Sequence, residues 1–239
     1  MRTILFDVGN TLFHVDYAFI AGVLAEHGHA VEPDALRVAE YVAKAAIDRG
    51  LTANGALDVG LWRDDAARRP SYFATVLEAV GVPAASAACI VDVLQEHNRA
   101  RCLWRVMEPD TPAVLDALRA RGLALGVVSN ADGRVEADLV RAGLRGRFAT
   151  VVDSHVVGVE KPNPAIFHLA LAHMDAEPAT TLYVGDVFSI DVLGARSAGL
   201  AAVLLDPLGD YPGADGCPRI RRLAELLFTP AGTTSRRRP

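Results

Sequence analysis

The stretch Arg2-Thr3-Ile4-Leu5-Phe6-Asp7-Val8-Gly9-Asn10-Thr11 decides how the rest of the 239-residue chain is read. Residues 2–6 form a short apolar run stopped by a carboxylate, and the residues after it have turn character. The run therefore reads as a buried strand followed by a turn. It is too short for the core of a signal peptide, so the expected location is the cytoplasm. A lone strand cannot satisfy its own backbone N–H and C=O groups. Residues 2–6 must join a sheet whose other strands come later in the chain.

Those strands come after a long interruption. Between about 16 and 105, apolar residues recur at helical spacing in 17–28, 34–49, 71–81 and 84–98, with breaks at Gly28, Pro33, Gly50, Pro70, Gly81 and Pro83. No strand-like alternation interrupts the block, which predicts a helical subdomain of about four or five helices. From 110 onward the pattern alternates. A helix at 112–121 closes on Gly122, followed by strand 123–128, helix 133–143, strand 148–153 and helix 163–173. Strand 181–185, helix 190–198, strand 200–205 and a last helix at 218–228 complete the series. Continuous apolar strands between amphipathic helices imply a parallel sheet covered on both faces. The expected architecture is a three-layer, Rossmann-like α/β core from residues 1–14 and 106–229, a helical cap inserted at 15–105, and a flexible tail at 230–239.

Composition narrows the function classes. A net charge of −5 provides no field for nucleic acid. No apolar stretch reaches the roughly 18 residues that a membrane span needs. Cys89, Cys102 and Cys217 share no CxxC or Cys/His spacing, so they read as reduced structural thiols without zinc. The run Arg236-Arg237-Arg238 reads as part of a solvated tail. Nothing in the sequence indicates an oligomeric state. Of 24 Lys and Arg residues only Lys44 and Lys161 are lysines, so each is a candidate for a role that a guanidinium cannot fill.

In open parallel sheets, ligands bind beyond the carboxyl ends of the strands. The polar residues there are Asp7, Ser129, Asp186 and Asp191, with Lys161 in the loop after the 148–153 strand. Clustered carboxylates are unfavourable unless a cation neutralises them. An oxygen-only set without His or Cys suits Mg2+. A hydroxyl and an ammonium beside it make an anion pocket, which is equipment for phosphoryl transfer. With no Ser–His or Cys–His arrangement visible, the candidate nucleophile is a carboxylate, Asp7.

Four motifs occur in order: Asp7-Val8-Gly9-Asn10-Thr11; the apolar strand ending in Ser129-Asn130; Lys161 within Gly158-Val159-Glu160-Lys161-Pro162-Asn163-Pro164; and Gly185-Asp186-Val187-Phe188-Ser189-Ile190-Asp191. The chain resembles the haloacid dehalogenase superfamily, in the branch with a helical cap after the first motif. The resemblance implies a Mg2+-dependent hydrolase acting on a small phosphorylated metabolite. Asp7 would attack phosphorus to form an aspartyl-phosphate. The Asp7 carboxylate, the Gly9 carbonyl and Asp186 would hold the metal, with Asp191 close to it or to its waters. Ser129 and Lys161 would bind the phosphoryl oxygens with Asn130 beside them, and Thr11 would orient the loop. The cap would close over the site, and its residues would set substrate choice.

One position departs from the family pattern. Phosphatases of this family carry a second Asp where this chain has Gly9. That Asp protonates the leaving group, a contribution of about 10²–10⁴-fold. Its loss matters less for acyl or aryl phosphates. Asn10 stands where Gly is common, and Asn tolerates positive φ. Three alternatives stay open: a phosphate-binding scaffold with little turnover, a phosphonatase-like C–P hydrolase forming a Schiff base on Lys44, and a haloacid dehalogenase. His14 reads as a hinge residue, His155 as structural, and Asp132 as a helix cap. Trp62, Tyr72 and Phe73 read as helix packing. Arg63, Arg68, Arg69, Arg99, Arg101 and Arg105 are candidates to meet a second anionic group of a substrate.

Overall fold

The computed structural model describes residues 1–53, 56–57 and 71–228. Trp62, Arg63, Arg68, Arg69 and the 230–239 tail lie outside the described residues. The chain divides into two compact units. One comprises Met1–Leu12, Met107–Asp210 and the described part of Ala214–Pro239; the other comprises Phe13–Val106 and Tyr211–Gly213.

The first unit is built on a six-stranded sheet of β1 (Thr3–Phe6), β6 (Ala124–Ser129), β7 (Thr150–Asp153), β8 (Thr181–Gly185), β9 (Ala201–Leu205) and β10 (Arg219–Ile220). The order is β10-β9-β8-β1-β6-β7, and every pairing is parallel. Strand β1 lies between β8 and β6, with Phe6 level with Val184 and Val127. The first apolar run of the sequence therefore occupies the middle of the sheet. Ile4, Leu5, Phe6, Val127, Val128, Tyr183 and Val184 are all fully buried, which explains why these strands read as unbroken apolar runs. Gly126 allows close packing at the centre, because a Cβ there would lie 2.7 Å from Met174 Sδ and 2.8 Å from Leu5 Cδ2.

The helices between strands largely follow the expected spans, including Thr111–Ala120, Val135–Arg141 and Pro164–His173. The Asn163 side chain accepts from Ala165 N at 3.0 Å, and Pro164 occupies the first turn, a combination that starts a helix. Three local readings change. The expected last helix at 218–228 is instead strand β10 followed by a 3-10 turn at Leu223–Leu227. Edge strand β9 needed backbone partners, and Pro218 and Ile220 supply them: Leu204 N donates to Pro218 O and Asp206 N to Ile220 O. The expected helix at 190–198 begins as a π-helical turn, Phe188–Leu193, before the α-turn Gly194–Ser197.

The third change concerns Asp132, whose carboxylate is taken up by Arg134, the residue just before helix Val135–Arg141. Asp153, at the end of β7, does the capping. Its Oδ1 accepts from His155 N at 3.0 Å and its Oδ2 from Val135 N at 3.4 Å. One buried carboxylate thus serves the starts of two helices, Ser154–Val157 and Val135–Arg141.

The second unit is mainly helical: α1 (Tyr17–Glu26), α2 (Pro33–Leu51), α3 (Tyr72–Ala79) and α4 (Ala84–Ala100). Its core includes Leu24, Leu36, Leu77, Ile90, Leu94 and Leu103. Short strands not expected from the pattern accompany the helices. β2 (His14–Val15) pairs antiparallel with β5 (Trp104–Val106), where the chain enters and leaves the unit, and β3 (Thr52–Ala53) pairs with β4 (Ala56–Leu57). His14 is thus a strand residue at the entry to the helical unit. Tyr72 and Phe73 pack against Trp104, with ring centroids 6.1 and 5.4 Å away. Arg105 pairs with Asp16 at 2.8 Å and meets His97 at 3.2 Å. Tyr211, although carried on the loop after β9, belongs to this unit: its hydroxyl donates to Asp48 Oδ2 at 2.9 Å and its ring meets Tyr41.

Candidate active site

Strand register brings the candidate residues together at the carboxyl ends of the strands. Asp7 leaves β1 with its N–H donated to Val184 O at 2.9 Å. Ser129 ends β6, and Asp186 follows β8 directly. Lys161 reaches the same place from the loop after β7. Asp7, Thr11, Ser129, Lys161, Asp186 and Asp191 are all buried. Val8 O accepts from Thr11 N and Leu12 N, closing the turn after Asp7. Within that turn Gly9 is half-buried, and Asn10 takes φ +52°, a conformation that Asn accepts more readily than most residues. Thr11 Oγ1 is buried without a hydrogen-bond partner.

Lys161 is the hub. Its ammonium donates to Asp7 Oδ1 at 2.6 Å, Asp191 Oδ1 at 2.7 Å and the Tyr183 hydroxyl at 2.9 Å. An ammonium has three N–H donors, and these contacts use all of them. Burial alone would lower the Lys161 pKa, but the Asp191 and Asp7 carboxylates overcome it and hold the value above that of a free lysine. Asp7 shifts upward, mainly through burial, with Lys161 opposing and Asp191 adding to the rise.

Asp191 is fully engaged. While Oδ1 accepts from Lys161, Oδ2 accepts from the amides of Asp186 and Val187 at 3.0 and 2.9 Å. The π-helical turn brings the side chain back to those amides. Gly185 makes room for it, because a Cβ there would lie within 2.6 Å of Asp191 Oδ2. Asp191 therefore fixes its neighbours in place. The Asn130 side chain meets the backbone of the lysine loop. Its Oδ1 accepts from Lys161 N at 2.7 Å and its Nδ2 donates to Lys161 O at 2.8 Å. The amide clamps the lysine loop at its backbone.

Asp7, Asp186 and Asp191 offer oxygens that lie within 4.8 Å of one another. Three buried carboxylates face one ammonium, so the centre carries excess negative charge in a dry setting. A divalent cation with a preference for hard oxygen ligands fits such a donor set. Sequence reasoning missed Tyr183. The available signal was a hydroxyl in the middle of a strand, Thr181–Gly185, whose neighbours leave no solvent for it to face.

A wholly parallel sheet with a buried carboxylate–lysine centre at its strand ends places the chain among α/β proteins whose sites lie beyond the carboxyl ends of the strands. The sequence profile of the haloacid dehalogenase-like hydrolases matches residues 1–199. The chain belongs to this family and is a hydrolase. It is 35% identical to haloacid dehalogenase-like hydrolase domain-containing protein 3 of Bos taurus, over 95% of this chain and 91% of that one. It is 40% identical to a glyceraldehyde 3-phosphate phosphatase of Methanothermobacter thermautotrophicus, over 46% of this chain and 49% of the relative. Among solved structures, a 2-haloacid dehalogenase from Pseudomonas syringae aligns with a TM-score of 0.54 at 25% identity, covering 95% of this chain and 97% of that one. Among the described residues, no helix is long and apolar enough to cross a membrane.

Proposed function

We propose that the chain is a Mg2+-dependent phosphatase-type hydrolase of small phosphorylated metabolites, with Asp7 as nucleophile. The observation that carries this reading is the buried Asp7–Lys161–Asp191 array at the strand ends. Asp7, the Gly9 carbonyl and Asp186 would hold the metal, which when bound supplies charge neutralisation at the phosphoryl oxygens. An Asp7 oxygen attacks phosphorus, the P–O bond to the leaving group breaks, and an aspartyl-phosphate results. Lys161, its three donors engaged, keeps Asp7 oriented and supplies a fixed positive charge. Ser129, at the end of the neighbouring strand, would donate to a phosphoryl oxygen, and Thr11 would shape the nucleophile loop. Water then attacks phosphorus and releases phosphate. Gly9 can give no proton to the leaving group, so the best substrates are acyl or aryl phosphates, whose leaving groups depart as stable anions.

Phosphatase relatives and the all-oxygen acidic set favour this reading over carbon–halogen cleavage. Lys44 is buried and pairs with Glu40 Oε1 at 2.6 Å one turn away on its own helix, a structural use that accounts for it without a Schiff base. Gly9 itself favours a second reading, a phosphate-binding scaffold with little turnover. The deciding assay follows acetyl phosphate and p-nitrophenyl phosphate with Mg2+ and with chelator. Turnover that needs Mg2+ and disappears in a folded Asp7→Asn variant is the expected result. No turnover of either compound, together with tight binding of inorganic phosphate, would establish the scaffold. Gly9→Asp should raise hydrolysis of alkyl phosphates, by up to about 10²–10⁴-fold.

A further inference from the structure

The Tyr183 hydroxyl lies fully buried within the sheet, between two partners that fix its direction. It donates to Val128 O at 2.8 Å and accepts from Lys161 Nζ at 2.9 Å. The hydroxyl oxygen accepts an ammonium N–H while its proton points to the Val128 carbonyl, and the Asp191 carboxylate lies beside the same hydroxyl. Val128 immediately precedes Ser129, and Asn130 immediately follows it. The end of β6 therefore grips Lys161 twice: the Asn130 amide holds its backbone, and the Val128 carbonyl holds its ammonium through Tyr183. The Tyr183 ring is itself fixed edge-on to Phe167, at a centroid distance of 5.0 Å.

We propose that Tyr183 is a positioning residue that makes Lys161 a stationary counter-charge for Asp7. Without the hydroxyl, one N–H of the ammonium loses its partner, and only the Asp7 and Asp191 carboxylates are left to set its direction. Asp7 then loses its fixed direction of attack, while the surfaces that bind substrate are untouched. The cost falls on the chemical step.

The inference rests on the Asp7 hydrolase reading, and the test separates the two. Tyr183→Phe keeps the ring and removes only the oxygen. With acetyl phosphate and Mg2+, kcat should fall about tenfold while KM stays within about twofold. The same substitution on a Lys161→Met background should cause no further loss, because the residue through which Tyr183 acts is gone. Independently of turnover, the Lys161 ammonium should give a slowly exchanging signal in lysine-labelled NMR spectra of the wild-type protein, and Tyr183→Phe should broaden or remove it. Equal losses in both backgrounds, or an unchanged kcat with an unchanged ammonium signal, would overturn the proposal. If the wild-type protein turns over neither phosphate, the hydrolase reading fails and the ammonium signal alone decides the positioning claim. Thermal melting checks folding, and Tyr183→Met replaces the phenylalanine variant should that one not fold.

Discussion

Removing the Lys161 ammonium leaves Asp7 and Asp191 close together, buried and without a counter-charge. Breaking a buried pair from one side typically costs about 3–5 kcal/mol, so Lys161→Met should be destabilised by that order in urea unfolding. Saturating Mg2+ should restore part of the loss, because a cation can take over the neutralising role. The pH dependence has a definite sign. Lys161 has a folded-state pKa raised above the 10.5 of a free lysine, so its stabilisation is full below that value and is lost as pH rises through the folded one. Lys161→Met should lack this alkaline component. Asp7, Asp186, Asp191, Ser129 and Lys161 were legible from sequence because strand ends can be counted from apolar runs. Tyr183 and the clamp by Asn130 were not, since a strand pattern shows which residues are buried but not which oxygens meet across neighbouring strands.

At the level of elements, the same contrast appears in helix starts. Asp132 precedes a helix in sequence, yet its side chain is 54% exposed and pairs with Arg134. The Arg134 hydrogen bond holds its pKa below the ordinary carboxylate value. Asp132→Ala should therefore change stability by no more than about 0.5 kcal/mol. Asp153→Ala removes the acceptor for two helix starts at once and should cost at least about 1 kcal/mol, read in the same thermal or urea melts. Only three-dimensional pairing could make that distinction, because Asp153 reaches Val135 across 18 residues. The 218–228 segment failed as a helix for a related reason. Ile220, Leu223 and Leu226 are apolar at a spacing that suits helix and 3-10 turn alike, and the open edge of β9 drew the first of them into the sheet. The alternating series of earlier strands and helices was readable because each apolar run there was long enough to have one interpretation.

For the molecule as a whole, each unit has its own buried core, which should appear as separate local stabilities. Leu94→Ala, at a fully buried position in the helical unit, should cost about 2–5 kcal/mol. Hydrogen exchange should show the loss of protection concentrated in α1 to α4, with β1, β6 and β8 changed less. Exchange that accelerates equally in both units would mean that they unfold as one. The scarcity of lysine gives this division a chemical use. Lys44 lies in the helical unit and Lys161 in the sheet unit, and each is 2% exposed. Amine-directed acylating reagents cannot reach either side chain in the folded state. The rate at which each becomes acylated is therefore a clock for the opening of its own unit, and one digest read by mass would show both clocks together.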